Sequence, residues 1–278
     1  MSKFQSRILA AALLLAGTER ALGVPIEIAV NPAESVLSVQ MCVGASCSTD
    51  TSPVTGFTAL KLDDVTGPGL VELHDFVLAL SEPINLSLTG LTATGQNISL
   101  EYATPGLPQP PATVDGAGGF DYLDLPSNQS GTVSYTASGF TCILLLATGY
   151  PCTDAIDLAE EEAQPGDFAG TITALPGRVV RVVMEPNVSG PVDPDLLALG
   201  TLTISGTIVG QAVVPLRGDA NLNGVVDGAD VQPFVDLLLN PEVHAWQAQF
   251  AVDMNDDDDF DVDDTAIFAQ CLVTDSCN

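Results

Sequence analysis

The stretch Thr201-Leu-Thr-Ile-Ser-Gly-Thr-Ile-Val-Gly-Gln-Ala-Val-Val-Pro-Leu-Arg-Gly-Asp219 divides the chain into two kinds of sequence. In its first half Leu202, Ile204 and Ile208 alternate with Thr201, Thr203 and Thr207. A period of two puts successive side chains on opposite faces of a strand, one face toward a core and the other toward water. The stretch then passes through Val214-Pro-Leu-Arg-Gly218 straight into an acidic segment, with no Pro/Ser/Thr-rich tether. A module that reaches for a distant receptor commonly rides on a flexible linker, whereas so short a junction lets the acidic part pack on the strands before it.

Upstream, the period of two persists from Val24 to Leu216. Ile84, Leu86 and Leu88 alternate with Asn85, Ser87 and Thr89, and Ile98, Leu100 and Tyr102 with Asn97, Ser99 and Glu101. Further strands are predicted at Ile26–Val30, Ser35–Val43, Phe57–Leu62, Leu70–Leu80, Gly131–Ala137, Phe140–Ala147, Thr171–Leu175 and Arg178–Met184. Helical periodicity is confined to a turn or two at Asp157–Ala163. Roughly ten short strands separated by Gly, Pro, Asn and Asp clusters predict a mainly β domain over residues 24–216, an antiparallel β-sandwich or jelly roll. Thr104–Pro126, rich in Pro and Gly, is expected to be a long surface loop carrying Phe120 and Tyr122. Tyr150–Asp167 is expected to be an acidic loop.

Downstream, one acidic pattern occurs twice. The first copy is Asp219-Ala-Asn-Leu-Asn-Gly-Val-Val-Asp-Gly-Ala-Asp230, and the second is Asp253-Met-Asn-Asp-Asp-Asp-Asp-Phe-Asp-Val-Asp-Asp264. Each places oxygen-bearing side chains at positions 1, 3, 5, 9 and 12 of a twelve-residue loop. A hard cation needs six to eight oxygens, and alternate side chains with the position-7 carbonyl can wrap around one. Loop one would use Asp219, Asn221, Asn223, the Val225 carbonyl, Asp227 and Asp230. Loop two would use Asp253, Asn255, Asp257, the Asp259 carbonyl, Asp261 and Asp264. Two calcium ions are therefore expected. Gly224 stands at position 6 of loop one, where the chain turns sharply, and Asp258 takes that place in loop two. Val226 and Phe260, at position 8, are expected to pair the loops. Apolar runs at Val231–Leu239 and Thr265–Val273 follow as candidate helices, and without a cation the carboxylates repel one another.

The repeat spacing of 34 residues, the helix straight after position 12, Asp rather than Glu at that position and the string Asp230-Val-Gln-Pro-Phe-Val-Asp236 resemble a type I dockerin module over residues 217–278. The resemblance implies a small α-helical module that folds on calcium and docks to a cohesin-like or cell-surface protein receptor. In that family positions 10 and 11 read the receptor; here they are Gly228-Ala229 and Val262-Asp263 rather than a hydroxylated pair.

Composition limits the rest. Net charge is −29, and only Lys61, Arg178, Arg181 and Arg217 are basic beyond residue 23. With no cationic surface to displace counterions from phosphates, nucleic acid is excluded as a partner. Residues 1–23 have the pattern of an export signal: Lys3 and Arg7, an apolar core Ile8–Ala16, then Ala21-Leu-Gly23. No later run is long enough to span a membrane. An exported, extracellular protein is expected, and its six cysteines suit that compartment. They fall in three local pairs, Cys42 with Cys47, Cys142 with Cys152 and Cys271 with Cys277, local pairing being the simplest of the possible connectivities.

Catalytic motifs are absent: there is no Gly-x-Ser-x-Gly elbow, HExxH or phosphate-cradling Gly loop. Glu72 with Asp75, Glu101, and Glu160 to Glu162 could supply a carboxylate pair for glycoside hydrolysis, though each is more simply a solvated turn or strand-face residue. His74 is read as a strand-face residue and Trp246, the single tryptophan, as core. The leading expectation is a secreted, non-catalytic β-domain anchored by a calcium module. The alternatives are a polysaccharide-degrading hydrolase of O-glycosyl bonds carrying a dockerin, or a β-domain with an intramolecular calcium staple.

Overall fold

The computed structural model describes residues 24–147, 149–160, 166–191, 200–240, 245–257 and 259–274. The strands run β1 (Ile26–Val30), β2 (Val36–Val43), β3 (Ser46–Leu62), β4 (Leu70–Leu80), β5 (Ile84–Leu88), β6 (Leu91–Tyr102), β7 (Ala112–Thr113), β8 (Gly119–Leu125) and β9 (Ser127–Ala137). Helix α1 (Gly139–Ala147) interrupts them before β10 (Thr153–Asp157), β11 (Gly166–Leu175), β12 (Val179–Met184), β13 (Asn187–Pro191) and β14 (Thr201–Val213). Helices α2 (Val231–Leu239), α3 (Trp246–Val252) and α4 (Val262–Thr274) follow.

The chain is mainly antiparallel β, and its sheet has the order β10-β9-β6-β4-β3-β1-β14-β12-β11-β8. Two long strands organise it. The first half of β14 pairs with β2 and β13, and its second half with β1 and β12. Likewise β3 pairs with β2 as far as Pro53, then with β4 and β1 from Val54 onward. Of the two, β14 reaches both cores, with Leu202 against the smaller one and Ile208 and Ala212 in the main one, whereas β3 gives Val54, Leu60 and Leu62 to the main core. In the main core Ile26, Ile28, Leu60, Leu73, Phe76, Val180 and Ile208 are at most 1% exposed. A smaller core gathers Met41 of β2, Ile84, Leu86 and Leu88 of β5, Leu91 of β6, and Leu145 of α1.

The sheet curls until β8 reaches β4. The Tyr122 hydroxyl donates to the Val71 carbonyl at 2.6 Å and accepts from the Leu73 amide at 3.0 Å. Burial pushes that hydroxyl up from its ordinary 10.0 to about 12. The folded state thus holds the proton more tightly than the unfolded chain, so this contribution is complete below pH 10 and lost as pH rises through about 12. Tyr122→Phe is expected to lower stability by about 1–3 kcal/mol, because it strands a buried amide and a buried carbonyl. Denaturant titrations at neutral pH and above pH 10 check both statements, and the alkaline loss should be smaller in the variant.

Several elements differ from expectation. Phe140–Ala147, predicted as a strand, lies in helix α1. From Cys142 to Ala147 the apolar run carries no period of two, and its Leu-rich composition favours helix once Leu145 can turn into the smaller core. The Thr104–Pro126 segment is not a continuous surface loop: it contains β7 and β8, and Phe120 and Tyr122 are 4% and 6% exposed, within the main core. Gly118 at φ +86 and the Asp115 carboxylate, which accepts from the Ala117 and Gly119 amides, make the turn that starts β8. Tyr150–Asp167 likewise holds β10, a short 3-10 turn at Leu158–Glu160 and the start of β11. Of the expected Asp157–Ala163 helical turn, Asp157 instead ends β10, and residues 161–163, Glu161 and Glu162 among them, lie outside the described residues.

Disulfides join Cys42 to Cys47 and Cys142 to Cys152. Cys271 is also disulfide-bonded, and its expected partner Cys277 lies outside the described residues. Among the described residues no helix is long and apolar enough to cross a membrane.

Candidate metal centre

Where both are described, the two acidic loops share most of their hydrogen bonds. The Asp230 carboxylate accepts from the Asn221 and Asp227 amides at 3.0 and 2.9 Å. Its counterpart Asp264 accepts from Asn255 and Asp261 at 3.3 and 3.0 Å, and from Met254 at 2.7 Å. Asp219 accepts from the Asn223 amide as Asp253 does from Asp257. Asn221 and Asn255, Asn223 and Asp257, and Asp227 and Asp261 each accept from the amide two residues on. Leu222 and Asp256, at position 4, take left-handed φ of 59° and 61°. All ten side chains named from the sequence are therefore turned onto their own loop's backbone.

Burial divides the ring. Asp219, Asp230, Asp253 and Asp264, at positions 1 and 12, are 0–2% exposed, whereas Asn223, Asp227, Asn255, Asp257 and Asp261 face solvent and Asn221 is half-buried. Gly224 has φ +87, and its amide donates to Asp219 at 2.8 Å. The matching Asp258 lies outside the described residues. Among those residues, no three His, Cys, Asp or Glu side chains group tightly enough to hold a metal by themselves. The four carboxylates named for loop two, Asp253, Asp257, Asp261 and Asp264, and the three named for loop one are thus not gathered into such a group.

The helices carry the repeat into the module's core. Helix α2 starts directly after Asp230, whereas α4 starts at Val262, so Asp263 and Asp264 lie in its first turn rather than before it. Acidic residues there favour the helix N-terminus. Phe234 of α2 stacks on Phe268 of α4 with centroids 4.0 Å apart and planes 2° from parallel. These two residues are repeat equivalents, 34 residues apart. A residue that packs on its own counterpart marks a local two-fold relation between the units. That pair was missed in the sequence, although its spacing equals that of the loops. Val226 and Phe260 join the same cluster as partly buried members.

A third helix, not expected from the repeats, gives Ala248 and Val252 to this cluster and Phe250 to the main β core. Phe250 of α3 is 5% exposed within the main β core, and Trp246 and Phe260 pack against that core. The Gly218 amide donates to the Ala251 carbonyl at 2.6 Å. A Cβ at Gly218, where φ is +88, would stand 2.9 Å from Val226 Cγ1. Arg217 lies over the Phe250 ring at 4.0 Å, donates to the Phe250 carbonyl at 2.7 Å and to the Asp253 carbonyl, and pairs with Asp256.

Elsewhere, His74 and Glu72 share β4 and meet at 2.6 Å, while Glu101 and Glu160 are exposed. His244 lies outside the described residues. Compared with protein-family models, curated proteins and solved structures, the chain shows no significant match to any of them.

Proposed function

We propose that the C-terminal sixty or so residues form a dockerin-like calcium module, seated on a β-sandwich-like domain, in an exported protein that anchors rather than catalyses. The observation that carries this reading is the duplicated hydrogen-bond scheme of the two loops, which turns five oxygen side chains per loop onto one short turn of backbone. The donors are all oxygen, and two carboxylates per loop are buried, which suits a hard divalent cation. Loop one would hold calcium through Asp219, Asn221, Asn223, the Val225 carbonyl, Asp227 and Asp230. Loop two would use Asp253, Asn255, Asp257, the Asp259 carbonyl, Asp261 and Asp264. Bound calcium would supply the positive charge that cancels carboxylate repulsion. The chain's own part is to hold the oxygens in place and bury the loop ends.

Docking to a cohesin-like or cell-surface receptor is supported by apolar side chains that α2 and α4 leave exposed, Leu239 at 72%, Val262 at 76% and Val273 at 85%. The intramolecular staple is a second reading, favoured by α3, whose Phe250 enters the β-domain core. The two are compatible, since different helices serve them.

Calorimetric titration of chelator-stripped protein is expected to find two calcium sites with dissociation constants well below about 10⁻³ M, the weak limit for extracellular modules. Absence of binding would reduce the loops to an acidic tail and remove the proposal.

A further inference from the structure

We infer that Arg217 is a resident cation of loop two, which makes the loops unequal: the guanidinium offsets carboxylate charge at positions 1 and 4 of loop two, whereas among the described residues loop one has no such counter-charge. The inference rests on the calcium reading above and concerns how this chain divides the work between its two sites.

Arg217 is the only Lys or Arg from residue 217 to the end of the sequence. One of its nitrogens lies 3.8 Å from Asp253 Oδ2, the buried position-1 carboxylate of loop two, and the other pairs with Asp256 at position 4. In loop one the residue with the same left-handed backbone at position 4 is Leu222, which offers no charge. Among the described residues no ion pair reaches Asp219, Asp227 or Asp230. Of the acidic residues that loop two carries beyond those of loop one, Asp256 serves the guanidinium. The same side chain holds the Phe250 and Asp253 carbonyls at the end of α3, the helix that carries Phe250 and Trp246 onto the β-domain. A cation bound through Asp253 would share that carboxylate with Arg217. Like-charge repulsion across one carboxylate costs about tenfold in affinity even in water-like surroundings.

The test combines calcium calorimetry on the stripped full-length protein with the emission of Trp246, its single tryptophan. Wild-type protein is expected to bind one ion about tenfold tighter than the other. Asp227→Asn should weaken the tight site and Asp261→Asn the weak one. Arg217→Gln should tighten the weak site by about tenfold while shifting the metal-free Trp246 emission to the red. A purely structural role would not produce those opposite signs. Arg217→Lys, which keeps the charge but not the planar fork, should leave loop two weak and shift the emission part of the way; tight binding at loop two in this variant would overturn the inference. Equal sites in wild type, weaker loop-two binding in Arg217→Gln, or unchanged metal-free emission would each overturn it alone. No binding at either loop would overturn the calcium reading and this inference together.

Discussion

Phe250→Ala is expected to detach helices α2–α4 from the β-sheet core, at a cost of about 3–5 kcal/mol. The ring is 5% exposed and sits among β-domain core residues, so truncation opens a cavity that the strands on one side and α3 on the other cannot both fill. It also removes the aromatic face beneath the Arg217 guanidinium, 4.0 Å away. That adds about 0.5–2 kcal/mol. Wild-type unfolding in calcium should be a single transition, because module and β-domain share a core. In the variant it should separate into two, with Trp246 emission following only the module. A single transition at the wild-type midpoint would mean that the seat does not depend on this contact.

Asp264→Ala should be nearly as severe in calcium, costing about 3–5 kcal/mol. The carboxylate is fully buried and accepts from three amides, those of Met254, Asn255 and Asp261, thereby drawing the two ends of loop two together. Alanine leaves those donors without their acceptor and removes the proposed position-12 ligand. Calorimetry should show one calcium site instead of two, and denaturant titration a lower midpoint. Without calcium the penalty should shrink, because the substitution also removes one repelling charge. A variant that keeps both sites would exclude Asp264 as a ligand.

Much of this was legible in the residue string. Ile26 and Ile28 alternate with Glu27 and point into the core as a period of two requires. The loop register at Asp219 and Asp253 became two matching hydrogen-bond schemes, because Asx side chains reach amides of their own loop, two to ten residues away. Cysteines five and ten residues apart closed locally. Each of these is decided within about a dozen residues of chain, where sequence neighbours are also spatial neighbours.

Only the tertiary structure decided the rest. Phe140–Ala147 became a helix because the smaller core had room for Leu145, a fact held by β2, β5 and β6. Phe120 and Tyr122 were buried because β8 curls onto β4, which their Pro- and Gly-rich surroundings could not announce. The Phe234–Phe268 stack, the seat of α3 and the reach of Arg217 to Asp253 all join surfaces distant in sequence. Alternation and loop spacing fix which side of an element is apolar or charged. Which surface comes to cover that side is set by burial across the whole chain, so it emerges only when the chain has folded.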